Sequence, residues 1–242
     1  MDIKTQMDGI YGSLAPEAIP WNTAHPPAML VDLVESGEIT PCEAIDLGCG
    51  AGNYAVWLAS RGFRMTGIDI APKALEMAER LSATRGVSCR FVPADLTMAG
   101  VDDLAGHFDF AYDWEVLHHV FPETRPTYAA NVHRLLRPGG RYLSVCFSEE
   151  DAPRFGGEGQ WCRTPLGTLL YLSSEQEIAA LFEPFFRIDE LRTVEVAGKY
   201  GSHLAIKALM TRSLAWIPAV AGMTQERLRH GAGAIDTREL RV

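Results

Sequence analysis

The chain has 242 residues, 47% hydrophobic and 22% charged, with a formal net charge of −9. That length suits one sizeable α/β domain rather than two, and the composition is that of an ordinary soluble globule. No basic face is available for a nucleic-acid backbone, so the expected partner is a small molecule, with neither nucleic acid nor membrane engaged.

In chain order, MDIKTQMDGIYG carries no signal-like apolar region. Residues 26–36 (PPAMLVDLVES) show helical spacing after a proline pair. Glu43–Leu47 reads as a strand, Asn53–Ser60 as a helix, Arg64–Ile70 as a strand, and Pro72 to about Thr84 as a helix with proline first. Val87–Pro93 and Phe108–Trp114 are further strands. A helix over Pro122–Leu136 is expected to stop at the turn Arg137-Pro138-Gly139-Gly140, releasing the chain into a strand over Arg141–Phe147. Such alternation predicts a mostly parallel sheet with helices on both faces. Across 148–173 the pattern lapses, which marks a lid or binding loop. A helix (Ser174–Phe182) and an antiparallel pair, Phe186–Val196 and His203–Leu209, close the domain. Residues 211–242 have no sustained period and read as an appendage. The domain proper therefore spans 41–210, behind a covering segment over 1–40.

Cys42, Cys49, Cys89, Cys146 and Cys162 include no CxxC pair. They fit neither a disulfide framework nor a zinc site, so no metal is expected and a reducing cytoplasm is the expected compartment.

The stretch AIDLGCGAGNY places Gly48, Gly50 and Gly52 where the first strand turns into a helix, with Asp46 just before. A dinucleotide site would want G-x-G-x-x-G. The spacing here is G-x-G-x-G, and a carboxylate at the strand end repels a pyrophosphate but attracts a cation. S-adenosylmethionine offers an ammonium, a sulfonium and a ribose. Asp69, ending the second strand, supplies the carboxylate that a ribose needs. Asp95, after the third strand, can receive the adenine amine, with Leu96 as an apolar wall. Taken singly, Asp46 and Asp69 could each be a helix cap; in order with FDFAYD and LLRPGGRY they are harder to read so.

These segments, over roughly 40–210, resemble the successive motifs of class I S-adenosylmethionine-dependent methyltransferases. PWNTAHPPAMLVDLVESG, PETRPTYAANVHRLLRPGG and the lid after CFSEED are similar to the thiol, halide and thiopurine methyltransferases and to the tellurite-resistance methyltransferases. The resemblance implies a Rossmann-like, doubly wound, seven-stranded sheet with a C-terminal antiparallel pair. It implies that Asp46 and Gly48–Gly52, including Cys49 and Gly50, hold the methionine moiety, with Asn53 and Ile70 alongside. It places Asp69 on the ribose, Asp95 on the adenine, Asp113 near the sulfonium and substrate, and Trp21, assisted by Tyr11, over the cofactor.

The segment DWEVLHHV departs from the halide enzymes towards the broad small-molecule pattern, which leaves the acceptor open. A thiolate needs no general base; for an oxygen, nitrogen or carbon acceptor that needs one, Glu115, His118 and His119 are candidates, of which at most one histidine is expected to face the substrate. The expected activity is methyl transfer to a small molecule, preferably a thiol or other soft nucleophile, by a monomer or homodimer. A histidine-assisted O-, N- or C-methyltransferase is the alternative. The rivals of other classes are a non-catalytic S-adenosylmethionine-binding protein and an NAD-dependent oxidoreductase.

Overall fold

A computed structural model describes residues 2–98, 101–156 and 159–213. The expected appendage, beyond residue 213, lies outside the described residues. The main sheet has seven strands: β1 (Glu43–Leu47), β2 (Arg64–Asp69), β3 (Cys89–Pro93), β4 (Phe108–Trp114), β5 (Leu136–Phe147), β8 (Phe186–Val196) and β9 (His203–Arg212). Their order is β3-β2-β1-β4-β5-β9-β8, and β9 alone runs opposite in direction to the other six. The order reverses between β1 and β4, so their carboxyl ends frame the crevice where such sheets take a ligand.

Helices cover both faces. One face buries Ile45, Ile68, Tyr142 and Met210 with Tyr128 and Val132 of α5 (Arg125–Leu135) and Phe182 of α6 (Glu175–Phe182). The other buries Ala44, Phe110, Leu143 and Leu209 with Leu30 of α2 (Ala28–Glu35) and Ala55 and Leu58 of α3 (Asn53–Ala59). Local chemistry fixes the ends. Gly86, at φ 67°, closes α4 (Pro72–Arg85), and a Ser174–Glu177 capping box opens α6. No helix among the described residues is long and apolar enough to cross a membrane.

Several elements differ from the sequence reading. Helix α1 (Ile3–Ser13) was not foreseen; it is capped by Asp2, whose carboxylate accepts from the Thr5 N–H at 2.9 Å. Helix α5 begins at Arg125 rather than Pro122, because Phe121–Thr124 forms a turn closed by a bond from the Thr124 N–H to the Phe121 carbonyl. Strand β5 already starts at Leu136. Leu136 pairs with Phe108 and Arg141 with Phe110, so the expected turn 137–140 bulges out opposite one residue. The span 148–173 has structure of its own: a 3-10 segment (Glu149–Phe155) and a hairpin of β6 (Trp161–Arg163) and β7 (Leu169–Tyr171). Strand β9 also runs two residues past the expected boundary at 210.

Candidate functional site

At the end of β1 the backbone turns through Gly48 (φ 75°) and Gly50 (φ 53°), conformations that favour glycine. A Cβ at Gly48 would lie 2.6 Å from a methyl of Val116, and one at Gly50 would lie 2.6 Å from the Tyr11 hydroxyl. The turn is tied to β2. The Gly48 and Cys49 N–H groups donate to the Ile68 carbonyl (2.8 and 2.9 Å), and the Gly50 N–H donates to Asp69 Oδ2 at 2.8 Å. Asp69 Oδ1 accepts from the Ala71 N–H at 2.8 Å. Beneath the turn, burial pushes the Asp46 carboxyl up to about 7, because a low-dielectric site disfavours the charged form. Asp69 is shifted upward for the same reason.

Tyr11 of α1 and Trp21 sit above the glycines. The Trp21 indole N–H donates to the Tyr11 hydroxyl at 2.8 Å, with the rings edge-to-face 6.3 Å apart. Helix α1 is held down where the Lys73 N–H donates to Asp8 at 2.8 Å. The Asn53 amide donates to Asn22 at 2.5 Å, and Thr23 and Tyr54 share a hydroxyl bond of 2.6 Å, so the covering segment is also fastened to α3. Asp95 accepts from both the N–H and the hydroxyl of Thr97, at 2.8 and 2.6 Å.

These parts enclose one cavity of about 780 Å³. Tyr11, Trp21, Asp46, Gly48, Cys49, Gly50 and Asn53 line it from the β1 side, and Asp69, Ile70, Asp95 and Leu96 from the ends of β2 and β3. Glu115, His118 and His119 line its far half, so both histidines face it. Burial holds His118 well below its ordinary value and lowers His119 to about 4. His118 stacks on Phe147 at 4.3 Å.

Asp113 requires a correction. It is 0% exposed and does not line the cavity. Side chains alternate along β4: Trp114 reaches the cavity, whereas Asp113 points to the opposite face, where the Tyr142 hydroxyl donates to it. Burial there raises its carboxyl to about 6. It is a core carboxyl beneath α5, outside the cavity wall where the sequence reading put it.

Some lining residues escaped the sequence reading. His203, at the start of β9, makes a 2.6 Å hydrogen bond through Nε2 to Glu115. Tyr54, Phe147, Phe155 and Leu170 supply apolar wall, and Arg154 and Lys199 stand in the same lining. The apolar ones carried no signal, and His203 lies 88 residues from its partner.

The residues present fit S-adenosylmethionine. Two carboxylates at adjacent strand ends suit an ammonium and a ribose, the glycine turn puts backbone rather than side chains in the cavity wall beside them, and Ile70 and Leu96 give an apolar flank. The group supplies a methyl already activated by positively charged sulfur.

The comparisons agree. Residues 44–140 match the family described as a methyltransferase domain. The chain is 29% identical over 158 residues to 2-heptyl-1-hydroxyquinolin-4(1H)-one methyltransferase of Mycobacteroides abscessus, covering 63% of this chain and 68% of that protein. It is 30% identical over 134 residues to thiocyanate methyltransferase 1 of Brassica oleracea, covering 54% and 58%. The alignments thus span about two thirds, or less, of these relatives' own lengths. Among solved structures, the 1,6-didemethyltoxoflavin-N1-methyltransferase of Burkholderia thailandensis, which holds S-adenosylhomocysteine, shares the fold with a TM-score of 0.65, at 22% identity over 87% of each chain.

Proposed function

We propose that this chain, a class I S-adenosylmethionine-dependent methyltransferase, acts on a small molecule that attacks through a thiol or other soft nucleophile. The observation that carries this is the state of the two adjacent histidines: His118 is buried and His119 half-buried, and both are lowered and neutral near pH 7. Neither is a good proton sink. A thiol, with an ordinary pKa near 8.5, needs less help in losing its proton than an alcohol does, which suits a wall whose adjacent histidine pair offers none.

The chain's part in the reaction is positional. The glycine turn and Asp46 fix the donor end, and Trp114, Phe147 and Phe155 present an apolar face to the acceptor. Desolvation and alignment account for most of such a displacement, since the methyl needs no further activation. The names of the plant thiocyanate and thiol methyltransferases support this reading. A second reading, methylation of an acidic hydroxyl, draws on the name of the mycobacterial relative and on the Glu115–His203 contact.

A panel of matched acceptors with radiolabelled S-adenosylmethionine tests it. Aryl thiols should give kcat/KM at least tenfold above the corresponding phenols. The reverse order would retire the thiol reading in favour of the hydroxyl one. No turnover with any acceptor would favour a binding protein.

A further inference from the structure

Glu115 is the one non-glycine residue with a positive φ (60°) among the described residues. Left-handed backbone is unfavourable for a side-chain-bearing residue, and such strain persists where the surroundings over-determine it, often at functional sites. Here the Glu115 N–H is held by the Val145 carbonyl at 2.7 Å. The side chain meets His203 Nε2 at 2.6 Å, with both residues in the cavity wall. The His203 ring is fixed a second way, by the edge-to-face contact with Phe147 at 4.8 Å.

The other ring nitrogen, Nδ1, has no hydrogen-bond partner among the described residues. It packs beside Gly198, where a Cβ would stand 3.1 Å away, and both His203 and Gly198 line the cavity. The remaining charged and titratable groups around it are accounted for. Arg154 donates to the Tyr200 and Gly201 carbonyls, both at 3.1 Å, and Lys199 to the Glu17 and Ile19 carbonyls. His118 is neutral and stacked on Phe147. Glu115 is therefore the charged group in direct contact with His203.

We propose that Glu115 and His203 form an acceptor-side dyad in which Glu115 holds the Nε2–H tautomer and His203 Nδ1 takes the acceptor's proton. The proton leaves the acceptor's S–H or O–H for Nδ1 as the new bond to the methyl carbon forms. The carbon–sulfur bond of the donor breaks with its electron pair left on sulfur. The positive charge lost at sulfur reappears on the imidazolium beside the Glu115 carboxylate, and is later released as a proton to water. The dyad extends the methyl-transfer reading and does not depend on sulfur being the nucleophile.

The test compares 4-nitrobenzenethiol, ionised at neutral pH, with 2-phenylethanethiol, which is not. His203→Gln and Glu115→Gln should lower kcat for 2-phenylethanethiol by about 10²–10⁴-fold. The loss for 4-nitrobenzenethiol should be at least ten times smaller, with affinity for S-adenosylhomocysteine retained. Equal losses on both thiols would overturn the proposal. Independently, long-range proton–nitrogen spectra of the histidine-labelled protein at pH 8 should show His203 with Nε2 protonated and Nδ1 bare. A protonated Nδ1 would overturn the proposal even if neither thiol is a substrate, an outcome that would fall on the thiol reading instead.

Discussion

Affinity for S-adenosylhomocysteine is expected to fall as pH drops below 7, by up to about tenfold per unit, and to become nearly independent of pH in Asp46→Asn. Burial places the Asp46 carboxyl at about 7 in the free protein. An ammonium beside it is stabilised only by the ionised form, so binding in acid must first displace a proton. The total loss is bounded by one charge-assisted hydrogen bond, roughly 1.5–3 kcal/mol or 10- to 150-fold. Calorimetry between pH 5.5 and 8 measures it, and in buffers of different ionisation enthalpy it should also register proton release near pH 6.5. A flat wild-type profile would remove Asp46 from the ammonium.

The same carboxyl has a signature in stability. Its folded value lies above the ordinary 3.8, so the folded state binds the extra proton between about pH 4 and 7 and the wild type loses stability as pH rises through that window. Asp46→Asn does not titrate. Its stability relative to the wild type should therefore climb by on the order of 1.4 kcal/mol per pH unit there. The difference between the two proteins is the useful readout, because lowered His118, His119 and His133 tilt stability the opposite way.

Replacing Arg125 by Met should lower the melting temperature by roughly 6–12 °C, the equivalent of about 3 kcal/mol in a domain of this size. Arg125 is 5% exposed and no carboxylate bonds to it. Its guanidinium donates to the Val120 carbonyl (2.8 Å), the Ser173 hydroxyl (2.8 Å) and the Leu117 and Tyr171 carbonyls (3.2 and 3.3 Å), and lies 4.6 Å over the Tyr171 ring. It thereby clamps the segment that carries His118 and His119 to the β6–β7 hairpin. Removing it leaves four acceptors short of a donor, each costing about 1–3 kcal/mol if water cannot reach it. Arg125→Lys should restore little, since one ammonium cannot span the same fork. A Met variant as stable as the wild type would mean that water replaces the guanidinium.

The architecture was largely legible because its signals are local. Strands β1, β4 and β8 span the residues that their apolar runs and flanking breakers indicate, and α6 starts at the Ser174 cap. The gathering of Asp46, Asp69 and Asp95 around one cavity was legible for the same reason: they sit at or just past strand ends, which topology alone brings together. Misreadings arose where the deciding interaction was not local. Helix α1 gains its place from Met7, Ile10 and Tyr11 packing on Ala71 and Ala74, which no window of its own sequence reveals. The three-residue strands of the hairpin are too short to display a period. Asp113 was misassigned although the two-residue repeat of FDFAYDW sets it on the face opposite Trp114. For His203, only the pairing of β9 with β5 brings it to the cavity.

The left-handed backbone at Glu115 sets two selective pressures against each other. In a library varied at this position, glycine would relieve the strain and, by roughly 1–2 kcal/mol, win any screen scored on heat resistance. The same change would delete the carboxylate that orients His203. Screens for hardiness and for turnover should thus enrich different residues at 115, and a stabilised descendant of this enzyme is best bred with that codon left unvaried.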